Sequence, residues 1–173
     1  AGSAAFLAGS SAVASSMSAA NVEKHAFNLK YAPHFGMFKH HAGEDLIDQV
    51  KFMADAGFTA MEDNGMKGRT VSMQEKIATE MAKQNMKMGV FVAHKIYWKE
   101  PNLASGDKDM LDEFLSQIRE SVEVAKRVNA KWMTVVPGHV DLRLNIGFQT
   151  ANVVEALRRA SEILEPHDLV MVL

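Results

Sequence analysis

Met88-Gly89-Val90-Phe91-Val92-Ala93-His94 is an unbroken apolar run that ends on an imidazole. A half-solvated strand would alternate apolar with polar residues. A run without alternation belongs to a strand covered on both faces, as in a parallel sheet. Working outward, similar runs flank it. Upstream, Phe58-Thr59-Ala60-Met61-Glu62 stops at a carboxylate, and before it the short Leu29-Lys30-Tyr31-Ala32 stops at Pro33, just ahead of His34. Downstream, Trp132-Met133-Thr134-Val135-Val136 stops at Pro137-Gly138, ahead of His139, and Leu169-Val170-Met171-Val172-Leu173 is the last run.

The stretches between them carry helical periodicity. Glu44 to Ala56 sets Leu46, Ile47, Val50, Met53 and Ala54 on one face, with Gly57 in the position that ends a helix. Ser72 and Glu75 have capping-box spacing, which predicts a helix from there to about Asn85. Lys108 to Val128 presents Leu111, Phe114, Leu115, Ile118, Val122 and Ala125, and Phe148 to Leu164 presents Val153, Leu157 and Ala160 ahead of Pro166. The order βαβαβαβαβ requires parallel strands joined by right-handed crossovers.

Two architectures fit that order, an open doubly wound sheet and an eight-stranded barrel. The doubly wound nucleotide folds carry a glycine-rich turn after their first strand, and Pro33-His34-Phe35-Gly36 is not one. The chemically reactive residues instead follow several different strands, which is how barrels build their sites. The expected fold is therefore an α/β (β/α)8 TIM barrel. Residues 26–173 supply its N-terminal half, about four and a half βα units. An apolar fifth strand with no helix to cover it would leave an open edge. The expectation is that the remainder of the barrel lies beyond this chain, and that the chain alone is inactive.

Composition narrows the function. The 19 basic and 21 acidic residues leave no broad basic field, so nucleic acid is not the expected partner. With no cysteine, disulfides, thiolate nucleophiles and Cys-zinc sites are excluded. Ala1 to Ala20 holds no charge and is rich in Ala, Gly and Ser. It is too weakly hydrophobic for a stable membrane span. It reads as the remnant of an export signal over residues 1–25, with the Ser18-Ala19-Ala20 region for cleavage. That implies an exported, periplasmic protein; read as a flexible linker, the same stretch would leave it cytoplasmic.

The candidate site residues share the loop side of the strands: His34, Glu62, His94 and His139. Imidazoles and carboxylates gathered there can move protons or bind a cation. Glu62 and His94 stand as catalytic candidates. Lys95 and Arg143 lie in the same layer and suit a substrate carboxylate or phosphate, and Trp98, beside Tyr97 in the long loop after the third strand, suits stacking on a sugar. Solvated loop charges and loop packing are the plainer readings of these three. His40-His41 reads as rim, and the twelve methionines as packing.

The segments Phe58-Thr59-Ala60-Met61-Glu62-Asp63-Asn64, Met88 to His94 and Trp132 to Gly138 resemble the xylose isomerase-like barrel superfamily, within it the hydroxypyruvate isomerase-like group. The weakly hydrophobic opening resembles a twin-arginine leader. The superfamily resemblance spans about residues 28–173 and implies a metal-dependent isomerase or epimerase of a small sugar or hydroxy-carbonyl compound. It implies a divalent cation (Mg, Mn, Co or Zn) held by strands five to eight, beyond Leu173, with His34, Glu62, His94 and His139 positioning substrate. Two alternatives accompany it: a zinc-dependent endonuclease-like phosphodiesterase, and an exported carbohydrate-binding barrel without turnover. A homo-oligomer closing through open sheet edges is a further expectation.

Overall fold

The computed structural model describes residues 24–173, so the opening stretch read as an export leader lies outside the described residues. The helices are α1 (Lys39–Ala42), α2 (Leu46–Asp55), α3 (Val71–Lys83), α4 (Lys108–Val128) and α5 (Ile146–Leu164). The strands are β1 (Ala60–Met61), β2 (Lys87–Met88), β3 (Trp132–Thr134) and β4 (Val170–Val172). Among the described residues no helix is long and apolar enough to cross a membrane.

The order of the strands in space decides the architecture. β1 pairs with β2 and β3 with β4, both in parallel. Single parallel bridges join His34 to Glu62 and Val92 to Thr134. The chain therefore lays its strand segments side by side in sequence order. A doubly wound sheet reverses direction at a switch point; an arc in strict order is the start of a barrel wall. Backbone bonds extend the arc past the regular strands. Asp63 N–H donates to Val90 O, Ala93 N–H to Thr134 O, and Val135 N–H to Val172 O, at 3.2, 3.0 and 2.9 Å.

The first strand sits later than its sequence predicts. Leu29 and Tyr31 are largely exposed. The pairing falls instead on Pro33, whose carbonyl accepts from Glu62 N–H at 3.1 Å, and on His34. Proline lacks a donor but not an acceptor, so it can sit at the end of a parallel ladder.

Helix starts follow capping chemistry. Asp45, Asp107 and Asn145 each accept first-turn amide protons with their side chains. In α3 the cap is Thr70, with extended backbone, whose hydroxyl accepts from Met73 N–H at 3.3 Å. The expected capping box at Ser72 and Glu75 does not form, because the helix has already begun at Val71. Thr70→Ala is accordingly expected to cost about 1 kcal/mol, and Ser72→Ala close to nothing; paired thermal melts check this.

One seam of apolar residues joins the layers. Met61, Phe91, Met133 and Val135, in the strands or just after them, are fully buried. Val50 and Met53 of α2, Ile77 and Met81 of α3, Phe114, Ile118 and Val122 of α4, and Ala160 and Leu164 of α5 meet them. The buried methionines belong to this core, as packing. Gly57 joins α2 to the strand that follows with φ +100°. A β-carbon there would stand 2.0 Å from His25 O, so only glycine fits.

Candidate functional site

The strand order brings His34 and Glu62 together at the carboxyl ends of neighbouring strands. His34 Nε2 lies 2.7 Å from Glu62 Oε1, with 43% and 24% of the two side chains exposed. A carboxylate can only accept, so Glu62 takes the Nε2 proton of His34, and Nδ1 makes no hydrogen bond among the described residues. His34 also lines an apolar pocket of about 580 Å³ with Phe27, Tyr31, Met37, Phe38 and Phe58. Its aromatic rings brace one another. Phe27 stacks on Phe58 at 4.7 Å and meets Tyr31 edge-on at 5.6 Å.

Behind the pair stands a clamp that sequence reading did not anticipate. Asp63 is 5% exposed. It takes Arg69 through Nε at 2.5 Å and Nη2 at 3.1 Å, and its Oδ1 also accepts from Gly65 N–H at 3.0 Å. The Arg69 guanidinium lies 5.0 Å over the Phe35 ring. The loop after β1 is thereby tied to the loop that carries His34. The available signal was Asp63-Asn64-Gly65, a turn in which an aspartate folds onto its own backbone.

His94 occupies a different environment. It is 4% exposed and edge-on to Phe114 at 5.0 Å. Nδ1 is 2.8 Å from Lys95 O, and Nε2 accepts from Val136 N–H at 3.1 Å. Both ring nitrogens are thus committed to backbone, which fixes the Nδ1–H tautomer and staples the ends of the third and fourth strands. Burial pushes its pKa below the usual imidazole value, as does the nearby Lys67 charge, while the two hydrogen bonds pull it back up.

Lys67 is the charged neighbour. Its ammonium donates to Ala93 O and Gln117 O at 3.1 and 2.9 Å and pairs with Glu120 at 3.1 Å. Burial lowers its pKa, against the upward pull of Glu120. Beside it opens a cleft of about 470 Å³ lined by Asn64, Lys67, Val92, His94, Lys95 and Gln117. The Lys95 amine itself is held by Tyr97 Oη at 2.9 Å and lies over that ring at 4.3 Å, and Tyr97 in turn donates to Glu113.

The remaining candidates do not converge with these. Trp98 is 70% exposed. His139 is exposed and makes no hydrogen bond among the described residues. Arg143 is folded onto Asp141 through Nε and Nη2 at 3.0 and 2.8 Å, and this bond holds the Asp141 carboxyl down at about 2. Two loops at this end are fitted closely. Gly138, at φ +87°, lets Asn102 Oδ1, which has no hydrogen-bond partner among the described residues, approach to where a β-carbon would stand 2.5 Å away. Among the described residues no three His, Asp or Glu side chains converge to hold a metal ion. His34 and Glu62 are bonded to each other and offer too few donors for a divalent cation.

Residues 50–173 match the family model of the xylose isomerase-like TIM barrel. No curated protein matches the chain. Solved structures share its fold. D-psicose 3-epimerase with D-tagatose from Clostridium cellulolyticum H10 superposes with a TM-score of 0.65 at 11% identity, over 83% of this chain and 51% of its own. The 3-keto-D-glucoside 4-epimerase of E. coli gives 0.63 at 16% identity, over 83% and 54%. AP endonuclease, family 2, from Brucella melitensis gives 0.57 at 17%, over 73% and 48%. The chain thus spans about half the length of the structures it matches.

Proposed function

Because this chain belongs to the xylose isomerase-like TIM barrel family, we propose that the barrel it helps to build isomerises or epimerises a small sugar or hydroxy-carbonyl compound. The observation that carries this reading is the His34–Glu62 pair set at an aromatic-lined pocket. A sugar presents hydroxyls at its edges and an apolar C–H face. The pocket offers the complement, a polar pair beside rings of Phe27, Tyr31 and Phe58. Its volume lies within the range of small-molecule sites.

Within that reading His34 Nδ1 takes the proton from the carbon beside the carbonyl, and the electron pair moves onto the carbonyl oxygen as an enediolate. Glu62 steadies the imidazolium, and the imidazolium gives the proton back to carbon. His94, bonded at both nitrogens, acts as a positioning residue that keeps the third and fourth strand ends in register. The divalent cation implied by the family resemblance would be held by donors other than the described residues. The similarity of the E. coli and Clostridium epimerases supports a sugar over DNA, as does the balanced charge. The family 2 AP endonuclease structure keeps a phosphodiesterase as the rival reading.

Ring-labelled histidine followed by NMR during titration with D-tagatose or D-fructose tests the site. The His34 signals should shift saturably, and Glu62→Gln should weaken binding about tenfold, the loss of one charge-assisted hydrogen bond. His34 signals indifferent to both sugars would remove the pocket as the substrate site.

A further inference from the structure

Asn64-Gly65 is the one Asn-Gly pair in the sequence, and it follows directly on the clamp residue Asp63. Both residues are exposed, and Asn64 lines the cleft beside Lys67. Two bonds close the turn. Met66 N–H donates to Asp63 O at 3.0 Å, and Gly65 N–H donates to Asp63 Oδ1 at 3.0 Å. Backbone geometry does not demand the glycine. Its φ and ψ are −87° and −1°, which any residue adopts at this place in a turn. A β-carbon there would meet nothing closer than Asp63 Oδ1 at 3.4 Å, an ordinary contact.

What glycine changes is reactivity. An asparagine amide is open to attack by the backbone nitrogen of the next residue, and a β-carbon on that residue obstructs the approach. We infer that Asn64 is a modification site, at which the chain deamidates itself whenever the Asp63 latch on Gly65 opens. In that step Gly65 N gives up its proton and bonds to Asn64 Cγ. The Cγ–Nδ2 bond breaks, and Nδ2 leaves with the proton as ammonia, closing a succinimide ring. Water then opens the ring. Attack on Cγ yields an ordinary aspartate; attack on the main-chain carbonyl leaves Gly65 joined through Cγ, an isoaspartate with one more carbon in the backbone.

The latch sets the rate. Turning Gly65 N toward Cγ breaks its bond to the Asp63 carboxylate. A bond of that kind makes the open turn roughly ten- to a hundredfold rarer than the closed one. Reaction from a briefly opened state follows the population of that state. Global unfolding is far rarer, in fewer than about one molecule in a thousand, so the local opening carries the reaction. Either product sets a third carboxylate after Glu62 and Asp63. Isoaspartate also lengthens the loop that the Asp63–Arg69 pair closes, and with it the brace behind His34 and Glu62.

Peptide mapping by mass spectrometry tests it, on the polypeptide from the complete coding sequence held in mildly alkaline buffer, with the same chain unfolded in urea as reference. Deamidation should concentrate at Asn64. The folded chain should react there roughly ten- to a hundredfold more slowly than the unfolded one. Its rate should stay level at urea concentrations below the unfolding transition, because a local opening exposes little surface. Asp63→Asn exchanges a charged acceptor for a neutral one and should speed the folded chain about tenfold at residue 64. Gly65→Ala should lose most of the reaction in both states. Equal rates in the folded and unfolded chains would show that there is no latch, and a folded-chain rate that climbs with urea would assign the reaction to global unfolding. Either result overturns the inference, as does an Asn64 that stays intact in the folded chain, or a rate that Asp63→Asn leaves unchanged.

Discussion

Asp63→Ala is expected to destabilise the fold by about 3–4 kcal/mol, because it leaves a partly buried guanidinium without its carboxylate. The carboxylate is 5% exposed and bonded by Arg69 twice and by Gly65 N–H once. All three donors lose their acceptor together, and water reaches only part of the space. For a domain of this size that loss lowers Tm by roughly 10 °C. Asp63→Asn keeps the shape and one acceptor, and should fall between. Because the clamp spans the loops that carry Glu62 and His34, Asp63→Ala should also broaden the His34 ring signals. Calorimetry and the labelled-histidine spectrum check the two parts independently.

The second large effect belongs to His94. Removal of the ring in His94→Ala leaves Val136 N–H and Lys95 O without partners inside the protein, and opens a void against Phe114. About 3 kcal/mol of stability should be lost. Its pH dependence has a definite sign. Burial holds the folded pKa below the unfolded value. Above about pH 6.5 neither state binds the proton and the staple contributes fully. As pH falls below that value the unfolded chain takes up a proton that the folded chain refuses. Stability then drops by up to about 1.4 kcal/mol per pH unit, until the lowered folded pKa is reached. In His94→Gln this contribution to the slope should vanish, and denaturant titrations at several pH values show whether it does.

How much of this was legible beforehand differs by element. The long helix Lys108–Val128 was readable because its apolar stripe keeps helical spacing throughout; the structure adds Asp107 as its cap and shows Asn129 ending it in a left-handed conformation. The barrel wall was legible as well, since uninterrupted apolar runs and strand-end polar residues are properties of local sequence. The start of α3 was not. Ser72 has the spacing of a cap, but Thr70 lies earlier in extended backbone and takes the role first. The first strand was misplaced because a proline reads as a stop while its carbonyl remains free to pair.

At the site, sequence identified His34 and Glu62 as strand-end residues, though only the parallel bridge between their strands brings them to 2.7 Å. It also grouped His94 and His139 with them. Position at a strand end says nothing about side-chain direction: one ring turns into the protein and bonds backbone, and the other stands in solvent. Arg69 was invisible because nothing local marks a residue that reaches back six positions to a buried carboxylate.

The central claim is proton transfer on a sugar carbon, and solvent exchange reads it most directly. The polypeptide from the complete coding sequence would be incubated in D₂O with ketoses and aldoses, and the sugars recovered for NMR. Deuterium should appear at the carbon beside the carbonyl, and its rate should fall at least tenfold in Glu62→Gln. No deuterium in any sugar, together with nicking of apurinic DNA, would contradict the account and establish the phosphodiesterase reading in its place.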